Sequence, residues 1–135
     1  MTRALTRLTR LAAGLATLAL IWGCNAPFIP VPPPAQVGFA SAPVSDGMGG
    51  QKTVWTASGN AGSPAALAQV FVINQATSNG VVTRADPTGA YKSPAFDGTQ
   101  GDHIDIYFED NEGARSATAC LILQDGAQAP QCGTQ

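Results

Sequence analysis

Three cysteines, one histidine and nine carboxylates are the side chains of this chain most able to do chemistry. The cysteines are Cys24, Cys120 and Cys132, and the histidine is His103. Two thiols and one distant imidazole lack the ligand spacing of a zinc site, so no metal is expected. A Ser-His-Asp relay would need His103 oriented by an acid and facing a nucleophile. His103 instead opens an alternating stretch on its polar side, beside Asp102 and Asp105, where a solvated histidine belongs. The chain contains no Gly-x-Ser-x-Gly and no phosphate-cradling glycine loop. Asp102, Asp105, Glu109, Asp110 and Glu112 form an acidic region. Asp110 and Glu112 share a turn of a kind that holds Ca²⁺ weakly, and solvated turn acids are the simpler account. These residues predict neither an enzyme nor a cofactor. Trp55 and Tyr107 are the aromatics that, on solvent-facing strands, would contact a carbohydrate or a protein.

The elements that must position these groups are short. Only 12% of the 135 residues are charged, with two Glu and two Lys, while 15 Gly and 10 Pro supply turns. That balance disfavours long surface helices and favours strands joined by tight turns. From Cys24 onward, four bases (Lys52, Arg84, Lys92, Arg115) stand against nine acids. An acidic, arginine-poor domain repels a phosphate backbone, so nucleic acid is not an expected partner.

Residues 1–10 carry Arg3, Arg7 and Arg10 with no acid, and residues 11–22 are almost wholly apolar. A basic region, a short apolar run and a small residue before the cut describe a secretory signal. The run is too short to span a bilayer, which takes about 20 apolar residues. The arginines are not adjacent, so a twin-arginine signal is not indicated. After Cys24, the stretch 25–36 contains Pro27, Pro30, Pro32, Pro33 and Pro34. In extended polyproline geometry it reaches up to roughly 35 Å, at about 3.1 Å per residue.

Seven strands are predicted, at 37–42, 51–57, 67–75, 80–85, 90–96, 103–109 and 116–124. In 103–109, Ile104, Ile106 and Phe108 alternate with His103, Asp105, Tyr107 and Glu109, which is the period of a half-buried strand. Asn79-Gly80, Asp86-Pro87-Thr88-Gly89 and Asp110-Asn111-Glu112-Gly113 read as turns. Regular short strands predict a β-sandwich. The expected core is Val54, Val70, Val72, Val82, Tyr91, Ile104, Ile106, Phe108, Leu121 and Leu123, with Trp55 covering an outer face.

Two resemblances sharpen this reading. Ile21-Trp22-Gly23-Cys24 resembles the lipobox of bacterial lipoproteins, with an aliphatic residue three before the cysteine and a small one directly before it. Trp22 stands where that family usually has a small or hydroxylated residue. The resemblance implies a diacylglyceryl group on Cys24 and cleavage between Gly23 and Cys24. It makes 1–23 a signal peptide, 24–36 a lipidated tether and 37–135 the displayed body with a C-terminal tail. A residue other than Asp at position 25, here Asn25, implies the outer membrane where the cell has one. The expected partners are the membrane, through the anchor, and an envelope protein or a glycan.

Further along stand Val70-Phe71-Val72-Ile73-Asn74, then Asp86-Pro87-Thr88-Gly89-Ala90-Tyr91, then Gly101-Asp102, then Asp110-Asn111-Glu112-Gly113-Ala114-Arg115-Ser116. Over about residues 66–123 this order is similar to bacterial immunoglobulin-like domains and the related carboxypeptidase-regulatory-like modules. It implies an immunoglobulin-like β-sandwich of about seven strands, used for display, spacing or adhesion. With Cys24 lipidated, Cys120 and Cys132 remain as an even pair in an oxidising compartment and are expected to form a disulfide. Cys120 should point outward, and a flexible tail from Gly126 to Gln135 would bring Cys132 back. Closing so short a loop contributes about 3 kcal/mol in the chain-entropy account.

Overall fold

The computed structural model describes residues 33–131. The expected signal segment 1–23, Cys24 and Cys132 lie outside the described residues. The described chain is an all-β sandwich of two antiparallel sheets. Its strands are β1 (Val37–Ser45), β2 (Gln51–Asn60), β3 (Gln69–Asn74), β4 (Asn79–Arg84), β5 (Ala90–Lys92), β6 (Phe96–Asp97), β7 (His103–Glu109), β8 (Ala119–Ile122) and β9 (Gly126–Gln128). One sheet runs β5-β2-β1-β9, with β6 also on β2; the other runs β4-β3-β7-β8. No helix among the described residues is long and apolar enough to cross a membrane.

β7 forms as its alternation predicts. Ile104, Ile106 and Phe108 are fully buried, while Tyr107 and Glu109 are half-buried on the opposite face. Each such buried side chain contributes about 1.5–3 kcal/mol. Facing them across the sandwich lie Val37, Phe39, Trp55, Ala57, Tyr91 and Phe96, with Val70, Val72, Leu121 and Leu123 completing the core. Phe108 meets the Tyr91 ring edge-on at 5.6 Å.

Three turns repeat one device. Asp46, Asp86 and Asp110 each accept, on Oδ1, the backbone N–H of the residues two and four further on, at 2.7–3.0 Å. In each, the glycine three residues on (Gly49, Gly89, Gly113) has φ of +84° to +89°. The aspartate replaces the missing ladder partner, and glycine is the residue that takes this left-handed φ without strain.

Several expectations are corrected. Trp55 is core, only 3% exposed, and does not cover an outer face. Its indole Nε1 donates to Gly98 O at 2.9 Å, so the ring is buried without orphaning its N–H. The adjacent Val54 takes the opposite face of β2 and is half-buried. Val82, expected in the core, is 49% exposed. Val81 packs on the core in its place because it stands opposite buried Val72. The single strand expected at 90–96 divides into β5 and β6 at Ser93-Pro94, since proline has no N–H for the ladder. Ser93 bridges the break: its N–H donates to Ala57 O at 2.7 Å and its Oγ accepts from Ala57 N at 2.8 Å. The strand expected at 116–124 contracts to β8, because Ser116 turns its hydroxyl to accept the Phe108 N–H at 2.9 Å. Gly126–Gln128, expected in a flexible tail, forms β9 on β1. Among the described residues the sandwich therefore has nine strands, not seven.

Candidate functional site

The outer face of the β4-β3-β7-β8 sheet carries the aromatic cluster of greatest interest. Phe71 on β3 stands directly opposite Tyr107 on β7. Their rings stack at 4.8 Å with 9° between planes. On the other side of β7, Glu109 bridges to Arg115, and the Arg115 guanidinium lies 4.9 Å from the Tyr107 ring centre. Arg115 Nε also donates to Glu109 Oε2 at 2.7 Å. Glu109, and secondarily Tyr107, hold the guanidinium above its ordinary pKa. Tyr107 is thus flanked by Phe71 on one side and by Arg115 on the other. Val82 lies opposite Phe71 on β4 and extends the band. A sugar stacks on a free ring face; the Tyr107 ring offers an edge.

Trp55, the second expected aromatic contact, is not brought to this face. It lies at the base of a separate open cleft of about 610 Å³ with Ser41, Lys52, Asp97, Thr99 and Asp125. Every charged group there is already engaged: Lys52 Nζ donates to Asp97 Oδ1 at 2.9 Å, and Asp125 accepts Ser41 N and Oγ at 2.7 and 2.8 Å.

The expected acidic region does not converge on one point. Asp102 accepts Thr99 N at 2.9 Å and Asn74 Nδ2 at 2.7 Å, pinning the loop before β7. The Thr99 N–H, then the Asn74 amide, hold its carboxyl below the ordinary value. Asp105 accepts Gln75 Nε2 at 2.6 Å. Asp110 Oδ1 is turned inward onto its own turn, away from the geometry of a cation site. Among the described residues no three His, Cys, Asp or Glu side chains gather as metal ligands. His103 is exposed at the start of β7 and its ring makes no hydrogen bond among the described residues.

Cys120 sits on β8 opposite Asp105, on the outer face as expected, and is half-buried. Gln131 N donates to Cys120 O at 2.7 Å, so the chain returns to β8 one residue before Cys132. Sequence reasoning missed Phe71 and Arg115 as partners of Tyr107. Their placement depends on register and on one isolated bridge, neither of which a local pattern encodes. Compared with known families, with characterised proteins and with solved structures, the chain matches none.

Proposed function

We propose that this chain is a lipid-anchored envelope protein that displays one immunoglobulin-like β-sandwich in a structural or protein-interaction role. The observation that carries the reading is Ile21-Trp22-Gly23-Cys24 followed at once by a proline-rich stretch. Pro34 is fully buried and β1 begins at Val37, so that stretch leads directly into a packed body. A lipid anchor with two or more acyl chains binds durably, at about 0.8 kcal/mol per buried methylene. Asn25 directs such a protein to the outer membrane where one exists.

A protein contact is favoured over a glycan contact. Tyr107 has neighbours on both sides and Trp55 is buried, so neither aromatic expected to hold a sugar offers it a free ring face. The same reading pairs Cys120 with Cys132 outside the cytoplasm, supported by the Gln131–Cys120 backbone bond.

Metabolic labelling with a clickable fatty acid tests the anchor. Wild type should label and sediment with membranes, and Cys24→Ala should do neither. Equal labelling of both would refute the proposal.

A further inference from the structure

Each sheet of a sandwich ends in strands whose outward N–H and C=O groups are unpaired, and proteins commonly blunt them. Here most edges are short or protected. β5 and β9 have three residues each and β6 has two. β8 has Gln131 bonded along it. Beyond β9, Ala40–Ser45 of β1 would be a free edge. Ser41 N points outward there, since Ala40 O and Gly38 O turn toward β2. That donor is taken by Asp125, and the next outward position is Pro43, which has none.

β4 is different. Ala85 N donates to Ala68 O, toward β3, so by alternation the amides of Gly80 and Val82 point away from β3. Neither has a hydrogen-bond partner among the described residues, and both residues are exposed. Beside this edge runs an open cleft of about 410 Å³ lined by Val54, Val81, Phe96 and Lys52. On the other face Val82 is half-exposed beside Phe71. Three of the four bases of an otherwise acidic body stand on or beside this edge. Lys52 lines the cleft beside its partner Asp97, Arg84 ends β4 with its guanidinium donating to Asn111 Oδ1 at 3.3 Å, and Lys92 O accepts the Thr83 hydroxyl. The ion pairs among the described residues are Lys52–Asp97 and Arg115–Glu109, so neither Arg84 nor Lys92 is in an ion pair there.

We propose that β4 receives an extended, acidic segment of a partner protein as an added strand. Gly80 and Val82 supply the main-chain bonds. Alternate apolar side chains of the segment enter the cleft and cover Val82, and its carboxylates meet Arg84 and Lys92. A second copy of this chain is the poorer occupant, because β4 against β4 brings four unneutralised bases together. The inference rests on the protein-interaction reading above but not on the anchor: peptide binding and Cys24 labelling fail independently.

The test uses two fluorescent nine-residue peptides of alternating valine and threonine, one with aspartate near each end and one with lysine there. Both are titrated onto the isotope-labelled full chain and followed by amide NMR. The aspartate peptide should bind at least about tenfold tighter than the lysine peptide. It should also slow exchange of the Gly80 and Val82 amides. Val82→Pro removes an outward donor and should weaken binding about tenfold or more. Arg84→Gln, an exposed change that gives up one surface hydrogen bond to Asn111, should shrink the charge preference. Equal binding of the two peptides, no saturable binding, or shifts centred on another edge would each overturn the proposal. So would Gly80 and Val82 amides already protected in the free chain, whether by its own N-terminal segment or by a second copy that sedimentation detects.

Discussion

Gly89 and Gly113 hold the same place in their turns, each with φ of +84°, yet their surroundings differ. A methyl group at Gly113 meets nothing within 4 Å, whereas at Gly89 it collides with the carbonyl of Gly62. Gly113→Ala should therefore cost only the left-handed strain, about 1–2 kcal/mol. Gly89→Ala should cost clearly more, because the Gly62 backbone must also move. Urea melts of the two variants check the order, and equal losses would contradict it. Trp55 offers a second measurement. Trp55→Phe keeps most of the buried surface but loses the hydrogen bond to Gly98 O, at about 0.5–1.5 kcal/mol, while Trp55→Ala should lose about 3–5 kcal/mol. The carboxylates set the acid limit. The Thr88 hydroxyl and N–H hold Asp86 below the ordinary 3.8, and Thr99 with Asn74 does the same for Asp102. A depressed folded pKa gives stability that is present above the unfolded value and lost as pH falls through the folded one. Asp86→Asn and Asp102→Asn should thus flatten the fall in urea midpoint from about pH 5 to about pH 3. Slopes identical to wild type would show that neither group matters there.

At the scale of the element, the open question for a sandwich is what keeps its edges apart. β1 protects its own by chemistry rather than cover: Asp125 occupies the Ser41 donor, and Pro43 has no donor to offer. Removing both guards, by Asp125→Ala with Pro43→Thr, should leave a continuous unpaired stretch over Ala40–Ser45. Size-exclusion chromatography should then show concentration-dependent dimers that wild type does not form. A double variant that stays monomeric would mean the edge is blocked by something other than these two residues. The elements also show which parts of the fold were legible in the sequence. β7 runs from His103 to Glu109 as its alternation requires, because only one phase buries Ile104, Ile106 and Phe108 together. In β2 and β4 the pairs Val54-Trp55 and Val81-Val82 satisfy either phase. The choice falls to cross-strand partners, Phe96 for Trp55 and Val72 for Val81.

At the scale of the whole molecule, the chain end returns to the body along β9 and then to Cys120, which ties residues 126–131 to both sheets. Under the proposed Cys120–Cys132 pairing, reductant should lower the urea stability by up to about 3 kcal/mol. Reductant should also expose two thiols to alkylation, seen by intact mass; alkylation without reductant would remove the pairing. What the sequence determined alone is what short-range chemistry specifies. A basic then apolar stretch runs up to Gly23-Cys24, and aspartate-glycine turns separate the strands. The β7 alternation has a single buried face. The tertiary structure alone decided the phase of Trp55 and Val82, the enlistment of Gly126–Gln128 as β9, and the stacking of Phe71, Tyr107 and Arg115. It also decided which edge is left unpaired among the described residues. These depend on residues far apart in the chain meeting in one register, and a contact across a sheet leaves no trace in the spacing of its neighbours along the strand.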